Sequence, residues 1–179
     1  MAFTFRYINS PVGRLTLVAQ DSCLAAILWE NDRPNRVPLG VMNEDQGSVI
    51  LNRAETQLYE YFAGTRERFD IELNFRGTDF QKKVWHALLA IPFGETRTYL
   101  DIAKQIGNPA AVRAVGAANG KNPISIIAPC HRVIGSTGAL TGFAGGLRAK
   151  ELLLTLEGGL PHKTSKMRDD NASKQRSLF

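Results

Sequence analysis

The chain has 179 residues, 44% of them hydrophobic, which is enough to bury the core of one globular domain or of two small ones in contact. Its formal net charge of +5 favours polyanionic partners only slightly, since the same balance is common in proteins that never bind nucleic acid. No apolar stretch approaches the roughly 20 residues of a membrane helix, and no secretory signal is visible at the N-terminus, so we expect a cytoplasmic protein that does not bind membranes.

The N-terminal residues predict a small antiparallel meander. Phe3, Phe5 and Tyr7 alternate onto one face of a strand, the turn sequence SPVG follows, and the alternation resumes before a third apolar run, CLAAILW. At the start of that run we expect Cys23 to be a packed core thiol. Residues 30–47 carry Pro, Gly, Asn and Asp without periodicity, so they predict a loop.

The residue pattern changes near residue 75, and a helix is predicted on each side of this point. Apolar residues recur at helical spacing over residues 51–62, and Gly64 is placed to end that helix. Thr78 and Gln81 have the form of a capping box. The helix behind them carries an apolar stripe made of Phe80, Val84, Trp85, Leu88 and Leu89.

These elements predict an α+β fold with a small N-terminal β-sheet subdomain, which includes a helix, followed by a mainly helical C-terminal domain. We place the N-terminal subdomain at residues 1–77 and the C-terminal domain at residues 78–160. Residues 161–179 are polar and lack periodicity, so they predict a disordered tail.

The C-terminal domain contains the pattern of a helix-turn-helix. Thr98 can cap a first helix that ends at Gly107, and Asn108-Pro109 can cap a second one with proline at its first position. The second helix, PAAVRAVGAANG, has Arg113 as its only charge, so it cannot read base edges in the major groove. Its small residues suit close packing against another helix, or a narrow groove in which DNA is held by phosphates and shape.

The sequence PCHRV places a thiol beside an imidazole. Cys130 needs a neighbour that takes its proton before it can act as a nucleophile. His131 would reach the sulfur through a water or from a bent backbone, which Pro129 favours. Glu157 is one of several acids that could orient the histidine, and a buried thiol beside a packed histidine explains the same residues. Cysteines and histidines are scattered along the chain, so we expect no metal site.

The combination of segments resembles the O6-alkylguanine-DNA alkyltransferases. The segments TYLDIAKQIGNPAAVRAVGAANGKNPISI and PCHRVIGSTGALTGFAGGLRAKELLLTLEG carry the likeness, which runs from about Phe80 to Gly158, whereas the first 75 residues match only in outline. The resemblance implies single-turnover transfer of an alkyl group from O6-alkylguanine in DNA, with O4-alkylthymine as a second candidate substrate. It implies no cofactor and no metal. It also implies a monomer that binds double-stranded DNA through the minor groove, largely without regard to sequence. Whether molecules cooperate along the DNA is left open.

The same resemblance implies a role for individual residues. Cys130 would accept the alkyl group, His131 would act through a water as its base, and Glu157 would complete the relay. Asn122 would brace the active-site loop, and Tyr99 would lie by the flipped guanine and donate a proton as the base leaves.

The DNA and the flipped base would be held by a further group of residues. Arg113 would fill the gap left by the extruded nucleotide, on a helix whose DNA-binding positions also include Ala110 and Ala114. The base-binding residues would be Tyr99, Val133, Phe143 and Ala144. Because some relatives carry Tyr-Ser where this chain has Phe143-Ala144, that pair bears on which bulky alkyl groups fit.

Two other functions share some of these features. A Cys-His-Glu hydrolase would form an acyl-enzyme and turn over, but nothing in it calls for Arg113 on a helix-turn-helix. A damage-sensing DNA-binding module would bind without transfer, and such relatives lack the acceptor cysteine that this chain has at Cys130.

The last five residues, QRSLF, suggest a separate partner. They resemble the Q-x-x-L-F pentapeptide by which bacterial polymerases and repair proteins hold the sliding clamp, with Gln175, Leu178 and Phe179 as the matching residues. Large apolar residues at a free chain end can anchor a peptide in a partner's groove. The basic residues of the tail could instead contact DNA.

Overall fold

The computed structural model describes residues 2–159 and has the predicted α+β fold. The strands are β1 Phe3–Ser10, β2 Gly13–Gln20, β3 Cys23–Trp29, β4 Met42–Glu44, β5 Arg97–Thr98 and β6 Val133–Ile134. The helices are α1 Val49–Phe62, α2 Asp79–Leu89, α3 Tyr99–Gln105, α4 Val112–Gly120 and α5 Leu147–Leu156. The predicted tail, including its clamp-like residues Gln175, Leu178 and Phe179, lies outside the described residues.

Strands β1 to β4 form one sheet in the order β3-β2-β1-β4. The predicted meander is confirmed, and β1 and β2 are joined by a two-residue turn at Pro11 and Val12. The prediction of a loop throughout residues 30–47 was wrong, because β4 pairs in parallel with β1. Three residues are too few for a period of two to show, so the signal for this strand lies in its partner rather than in its own sequence.

Both faces of the sheet are covered, which the N-terminal pattern did not indicate. Phe3, Phe5 and Tyr7 share the face that a short loop covers, and Tyr7 at its end is 47% exposed. The opposite face, with Ile8 of β1, packs into the main core under α1. The prediction that Cys23 is a core thiol was wrong, since this residue begins β3 beside the hairpin turn and is only half-buried.

Helix α1 packs against the sheet and its predicted extent is confirmed. Ser48 accepts a hydrogen bond from the backbone of Leu51 at its start, and Gly64 adopts a positive φ of 78° just beyond its end. The buried face of α1 belongs to the same continuous cluster as buried residues of α2 and α5. The two halves of the chain therefore share one core, and the boundary at residue 77 stays a prediction.

The predicted capping box at Thr78 and the predicted cap at Thr98 are present, and the second is also a capping box. Thr78 pairs with Gln81 at the start of α2, and Thr98 pairs with Asp101 at the start of α3. Of the predicted α2 stripe, Leu89 is 42% exposed, because it ends the helix at the molecular surface.

The second helix of the predicted pair begins later than expected. Asn108 accepts a backbone hydrogen bond from Ala111 in a turn, and α4 starts at Val112. The prediction that Asn108 and Pro109 cap the helix was wrong, since the residue before α4 is Ala111, which offers no side-chain cap. Trp85 of α2 donates a hydrogen bond of 2.8 Å to the carbonyl of Ala118, which fixes α4 against α2.

The long loop before α5 is attached to the edge of the N-terminal sheet. The backbone N–H of Ile27 in β3 donates to the carbonyl of Pro123 at 2.9 Å, and Ile27 pairs with Ile124 in an isolated bridge. The N-terminal sheet therefore sets the position of the loop that precedes Cys130. Within residues 2–159 no helix is long and apolar enough to cross a membrane.

Candidate active site

Cys130 lies in a single turn of 3-10 helix, Cys130–Arg132, and not on an extended strand. Pro129 precedes this turn with φ −82° and ψ 68°, so the predicted irregular backbone is confirmed. The thiol is almost wholly buried, with the residue 2% exposed. Ile126, four residues earlier, has φ +74°, a conformation that a β-branched residue rarely adopts.

Asn122 braces the loop that carries the thiol. Its side-chain amide donates to the carbonyl of Ala128 at 2.7 Å, and its side-chain oxygen accepts from the backbone N–H of Ile124 at 3.0 Å. The backbone carbonyl of Asn122 accepts a hydrogen bond of 2.8 Å from Nη1 of Arg36. The two side-chain bonds of Asn122 are buried and hold both ends of the loop.

The environment of Cys130 favours the neutral thiol. Burial raises its pKa, and this effect exceeds the opposing hydrogen bonds from Asn122 and Ser125 and the positive charges of Arg36 and Lys150. A buried thiol of this kind becomes a nucleophile only when a base takes its proton.

A buried carboxylate, Glu157, lies at the end of α5 and holds the histidine next to the thiol. The distance from His131 Nε2 to Glu157 Oε1 is 2.7 Å, and both side chains are fully buried. Arg132 donates to both carboxylate oxygens, from Nε to Oε2 at 2.8 Å and from Nη2 to Oε1 at 2.9 Å. Tyr61 of α1 donates to Oε1 at 2.6 Å. The sequence left several acids open as partners of His131, and the structure brings Glu157 to it.

The hydrogen bonds assign the charges in this cluster. Burial alone would raise the pKa of Glu157, but hydrogen bonds from His131, Arg132 and Tyr61 outweigh it and lower the pKa to about 2. Burial lowers the pKa of His131 despite the carboxylate beside it. Glu157 is therefore ionised and His131 is neutral at pH 7.

The tautomer of His131 follows from these charges. An ionised carboxylate only accepts hydrogen bonds, so Nε2 of His131 carries the proton and Nδ1 is left with a lone pair. Nδ1 is buried and has no hydrogen-bond partner within the described chain. This nitrogen therefore has a free lone pair that can accept a proton.

A buried lysine lies on the other side of the loop. Lys150 of α5 is 0% exposed and donates to the carbonyls of Val133 at 2.6 Å and Thr141 at 3.3 Å. Burial lowers its pKa to about 8, while the nearby Cys130 thiolate would raise it. The ammonium therefore joins β6, through Val133, to the loop that contains Thr141. Its positive charge also favours ionisation of the Cys130 thiol.

The predicted base-binding residues meet at this loop. The hydroxyl of Tyr99 lies 2.6 Å from the hydroxyl of Thr141, which ties α3 to the loop. Phe143 packs edge-on against Trp29 of β3, with ring centroids 5.3 Å apart. Val133 is fully buried, and Ala144 is half-buried beside Phe143. A side chain at Gly145 would lie 2.6 Å from the Trp29 ring, so the indole sets how close the loop approaches the sheet.

The predicted DNA-binding residues Arg113, Ala114 and Ala110 lie in α4 and in the turn before it. Arg113 and Ala114 are exposed in the first turns of α4, and Arg113 makes no hydrogen bond or ion pair within residues 2–159. Ala110 is exposed as well, but it lies in the turn before the helix. Gly116 of α4 leaves room for the ring of Tyr99, 3.8 Å from where a Cβ would stand.

Three residues of the site were not predicted from the sequence. Tyr61 fits the apolar stripe of α1, so nothing local marks it as a partner of Glu157. Arg132 belongs to the PCHRV sequence, but its partner lies 25 residues away. Lys150 reads as an ordinary charge on an amphipathic helix. Among the described residues, no group of three His, Cys, Asp or Glu side chains could hold a metal ion.

Two family models match the chain. The 6-O-methylguanine DNA methyltransferase, ribonuclease-like domain, matches residues 4–75, and the 6-O-methylguanine DNA methyltransferase, DNA binding domain, matches residues 79–159. The crystal structure of Mycobacterium tuberculosis OGT in complex with DNA is similar to this chain with a TM-score of 0.79 and 49% identity, covering 88% of this chain and 93% of that one.

Curated relatives agree with these matches. A methylated-DNA–protein-cysteine methyltransferase of Mycobacterium tuberculosis (strain ATCC 25618 / H37Rv) is 52% identical over 155 residues, 86% of this chain and 91% of that protein. A protein of the same name from Methanosarcina acetivorans is 48% identical over 86% of this chain and 97% of that protein. The resemblance noted in the sequence is confirmed, and this chain belongs to the 6-O-methylguanine DNA methyltransferase family.

Proposed function

We propose that the chain repairs DNA by direct reversal, transferring the alkyl group of O6-alkylguanine to Cys130 in a single turnover. The observation that carries the proposal is the buried His131–Glu157 pair beside a buried thiol, with the unpartnered Nδ1 as the base. Relatives named methylated-DNA–protein-cysteine methyltransferase, at up to 52% identity, support the reaction.

The reaction begins when DNA is bound and the damaged base leaves the helix. Arg113 is exposed and makes no hydrogen bond or ion pair within residues 2–159, and it fills the gap in the stack. Ala110 and Ala114 allow the backbone of this region to approach the minor groove. Extrusion costs a few kcal/mol, and less for a weakened alkylguanine pair. The M. tuberculosis relative whose crystal structure contains DNA supports DNA as the partner.

The chemical step is an in-line displacement at the alkyl carbon. The thiol proton of Cys130 passes to Nδ1 of His131, directly or through a water, and Glu157 stabilises the imidazolium that forms. The sulfur forms a bond to the carbon as the bond from carbon to the guanine oxygen breaks. The guanine leaves with the electron pair and takes a proton that Tyr99 donates.

The product explains the single turnover. An S-alkyl thioether is not cleaved by water as an acyl-enzyme would be, so each molecule acts once. The displacement uses only side chains of the protein and the DNA, and so requires no cofactor. Val133, Phe143 and Ala144 line the site that receives the base, and their packing limits the size of the alkyl group. The two free cysteines suit a reducing compartment, and we place the protein in the cytoplasm.

Incubation with duplex DNA that carries a radiolabelled O6-methylguanine tests the proposal. We expect one label per protein molecule, recovered on the peptide that contains Cys130, and none in Cys130→Ser. Cys23→Ser is the matched control, because it removes the other thiol and should transfer normally. Catalytic release of label would favour a hydrolase, and binding without transfer would favour a damage sensor.

A further inference from the structure

The carboxylate of Glu157 receives an unequal set of donors. Its Oε2 accepts one hydrogen bond, from Nε of Arg132. Its Oε1 accepts three, from Tyr61 Oη at 2.6 Å, His131 Nε2 at 2.7 Å and Arg132 Nη2 at 2.9 Å. Tyr61 therefore competes with His131 for the same oxygen, and it does so from α1, 96 residues away in the chain.

The hydroxyl of Tyr61 is not needed to orient the carboxylate. The guanidinium of Arg132 makes a bidentate contact with both oxygens of the carboxylate, through Nε and Nη2. Its third nitrogen, Nη1, donates to the carbonyl of Ile91 at 2.6 Å. A planar, bidentate contact of this kind already sets the carboxylate plane. The effect of Tyr61 must therefore fall on the charge of Oε1 rather than on its position.

Tyr61 can act only as a neutral donor. The residue is 1% exposed, and burial together with the charge of Glu157 raises the pKa of its hydroxyl, so it stays protonated at any working pH. A neutral donor on a carboxylate oxygen spreads the negative charge and reduces the attraction of that oxygen for a second donor.

We propose that Tyr61 acts through Glu157: its hydrogen bond to Oε1 weakens the hold of Glu157 on His131, and so keeps the imidazole neutral and Cys130 protonated in the resting protein. The inference rests on the proposed function in assuming that His131 is the base for Cys130. A protein that can react once gains from a thiol that does not ionise at rest, since a resting thiolate would react with small electrophiles.

Burial and the positive charges around His131 act in the same direction as Tyr61 and do not depend on it. Burial lowers the pKa of His131 most, and the positive charges of Arg132 and Lys150 lower it further, while Glu157 raises it. Arg132 is in the same turn as the histidine and Lys150 is on α5. Replacing Tyr61 leaves all of them in place.

Two changes at this residue should act in opposite directions. Tyr61→Phe removes the hydroxyl and keeps the ring, which packs against Phe69 and Phe93. Replacement of Tyr61 by 3-fluorotyrosine keeps the hydroxyl and makes it a stronger donor. Tyr59→Phe, at an exposed tyrosine on the same helix, is the matched control. Each protein is used as the full chain.

The pKa of His131 is measured by NMR titration of its imidazole, and thiol ionisation by the rate at which methyl methanethiosulfonate modifies the Cys130 peptide at pH 7. We expect Tyr61→Phe to raise the pKa of His131, because Oε1 of Glu157 then attracts the His131 donor more strongly. Modification of the thiol should become about two- to tenfold faster, the effect of one net hydrogen bond. The 3-fluorotyrosine protein should change both quantities in the opposite direction, and Tyr59→Phe should change neither.

An unchanged pKa of His131 in both Tyr61 proteins, or an equal change in Tyr59→Phe, would overturn the inference. If Tyr61→Phe does not fold, the 3-fluorotyrosine protein decides alone, since it differs by one fluorine. Neither readout uses DNA. A failure of the unmodified protein to accept label from O6-methylguanine would count against the proposed function, while the titration still decides the role of Tyr61.

Discussion

Replacing Arg132 with methionine removes the two hydrogen bonds that fix Glu157 and the bond to the carbonyl of Ile91. Methionine keeps much of the buried stem, so the change isolates the charge. Each charge-assisted bond is worth about 1.5 to 3 kcal/mol, and such bonds are not additive. The loss also leaves an ionised carboxylate in a site where Glu157 is 5% exposed. We therefore expect Arg132→Met to lower the free energy of unfolding by about 3 to 5 kcal/mol.

A double-mutant cycle with Glu157→Gln measures the interaction itself. The double variant has no buried unpaired charge at these two positions, so its loss should be smaller than the sum of the single losses by about 2 kcal/mol or more. Urea unfolding followed by the fluorescence of Trp29 and Trp85 gives the free energies at pH 7.5. A loss below about 1 kcal/mol for Arg132→Met, or strict additivity, would refute the reasoning.

Three further outcomes follow from the structure. The free energy of unfolding should fall as pH drops below about 6.5, because His131 takes up a proton in the unfolded chain but not in the fold, where its pKa is lowered. It should fall again between pH 4.5 and 2, because the pKa of Glu157 is lowered to about 2 in the fold. Equal urea midpoints at pH 5 and 7 would contradict the first of these. Gly145→Ala should destabilise the protein by about 1 to 3 kcal/mol in urea, through the clash with Trp29. Gly142→Ala in the same loop is the control, because a Cβ there meets nothing within 4 Å among the described residues and the backbone does not adopt a positive φ. Arg113→Ala should slow transfer from duplex DNA about tenfold or more at unchanged melting temperature, and a normal transfer rate would remove Arg113 from the proposed mechanism.

Local signals in the sequence were sufficient for strands β1 to β3 and for helices α1 to α3, but not for the short strands or for the cluster around Glu157. The capping boxes of α2 and α3 could be predicted because their partners lie three residues apart. The start of α4 could not be predicted, because the sequence Asn108-Pro109 is compatible with both a turn and a helix cap. In the structure it forms a turn.

The residues that set the charge of the site come together only in the fold. Cys130 and His131 were predicted as a pair because they are adjacent. Tyr61 approaches Glu157 from a helix in the other half of the chain, and at its own position it is an ordinary core residue of α1. Nothing in the PCHRV sequence shows that Arg132 turns inward to the same carboxylate, since surface arginines are far commoner than buried ones.

Ile126 gives the loop before Cys130 a property that its hydrogen bonds do not. A β-branched residue with φ +74° costs about 1 to 2 kcal/mol. The side chain is 1% exposed, so the same residue that strains the backbone also secures it in the core. Strain of this kind persists only while the surrounding structure imposes it. The geometry of the thiol therefore depends on the folding free energy of the whole chain, and a protein consumed by its first reaction needs that geometry to last only until then.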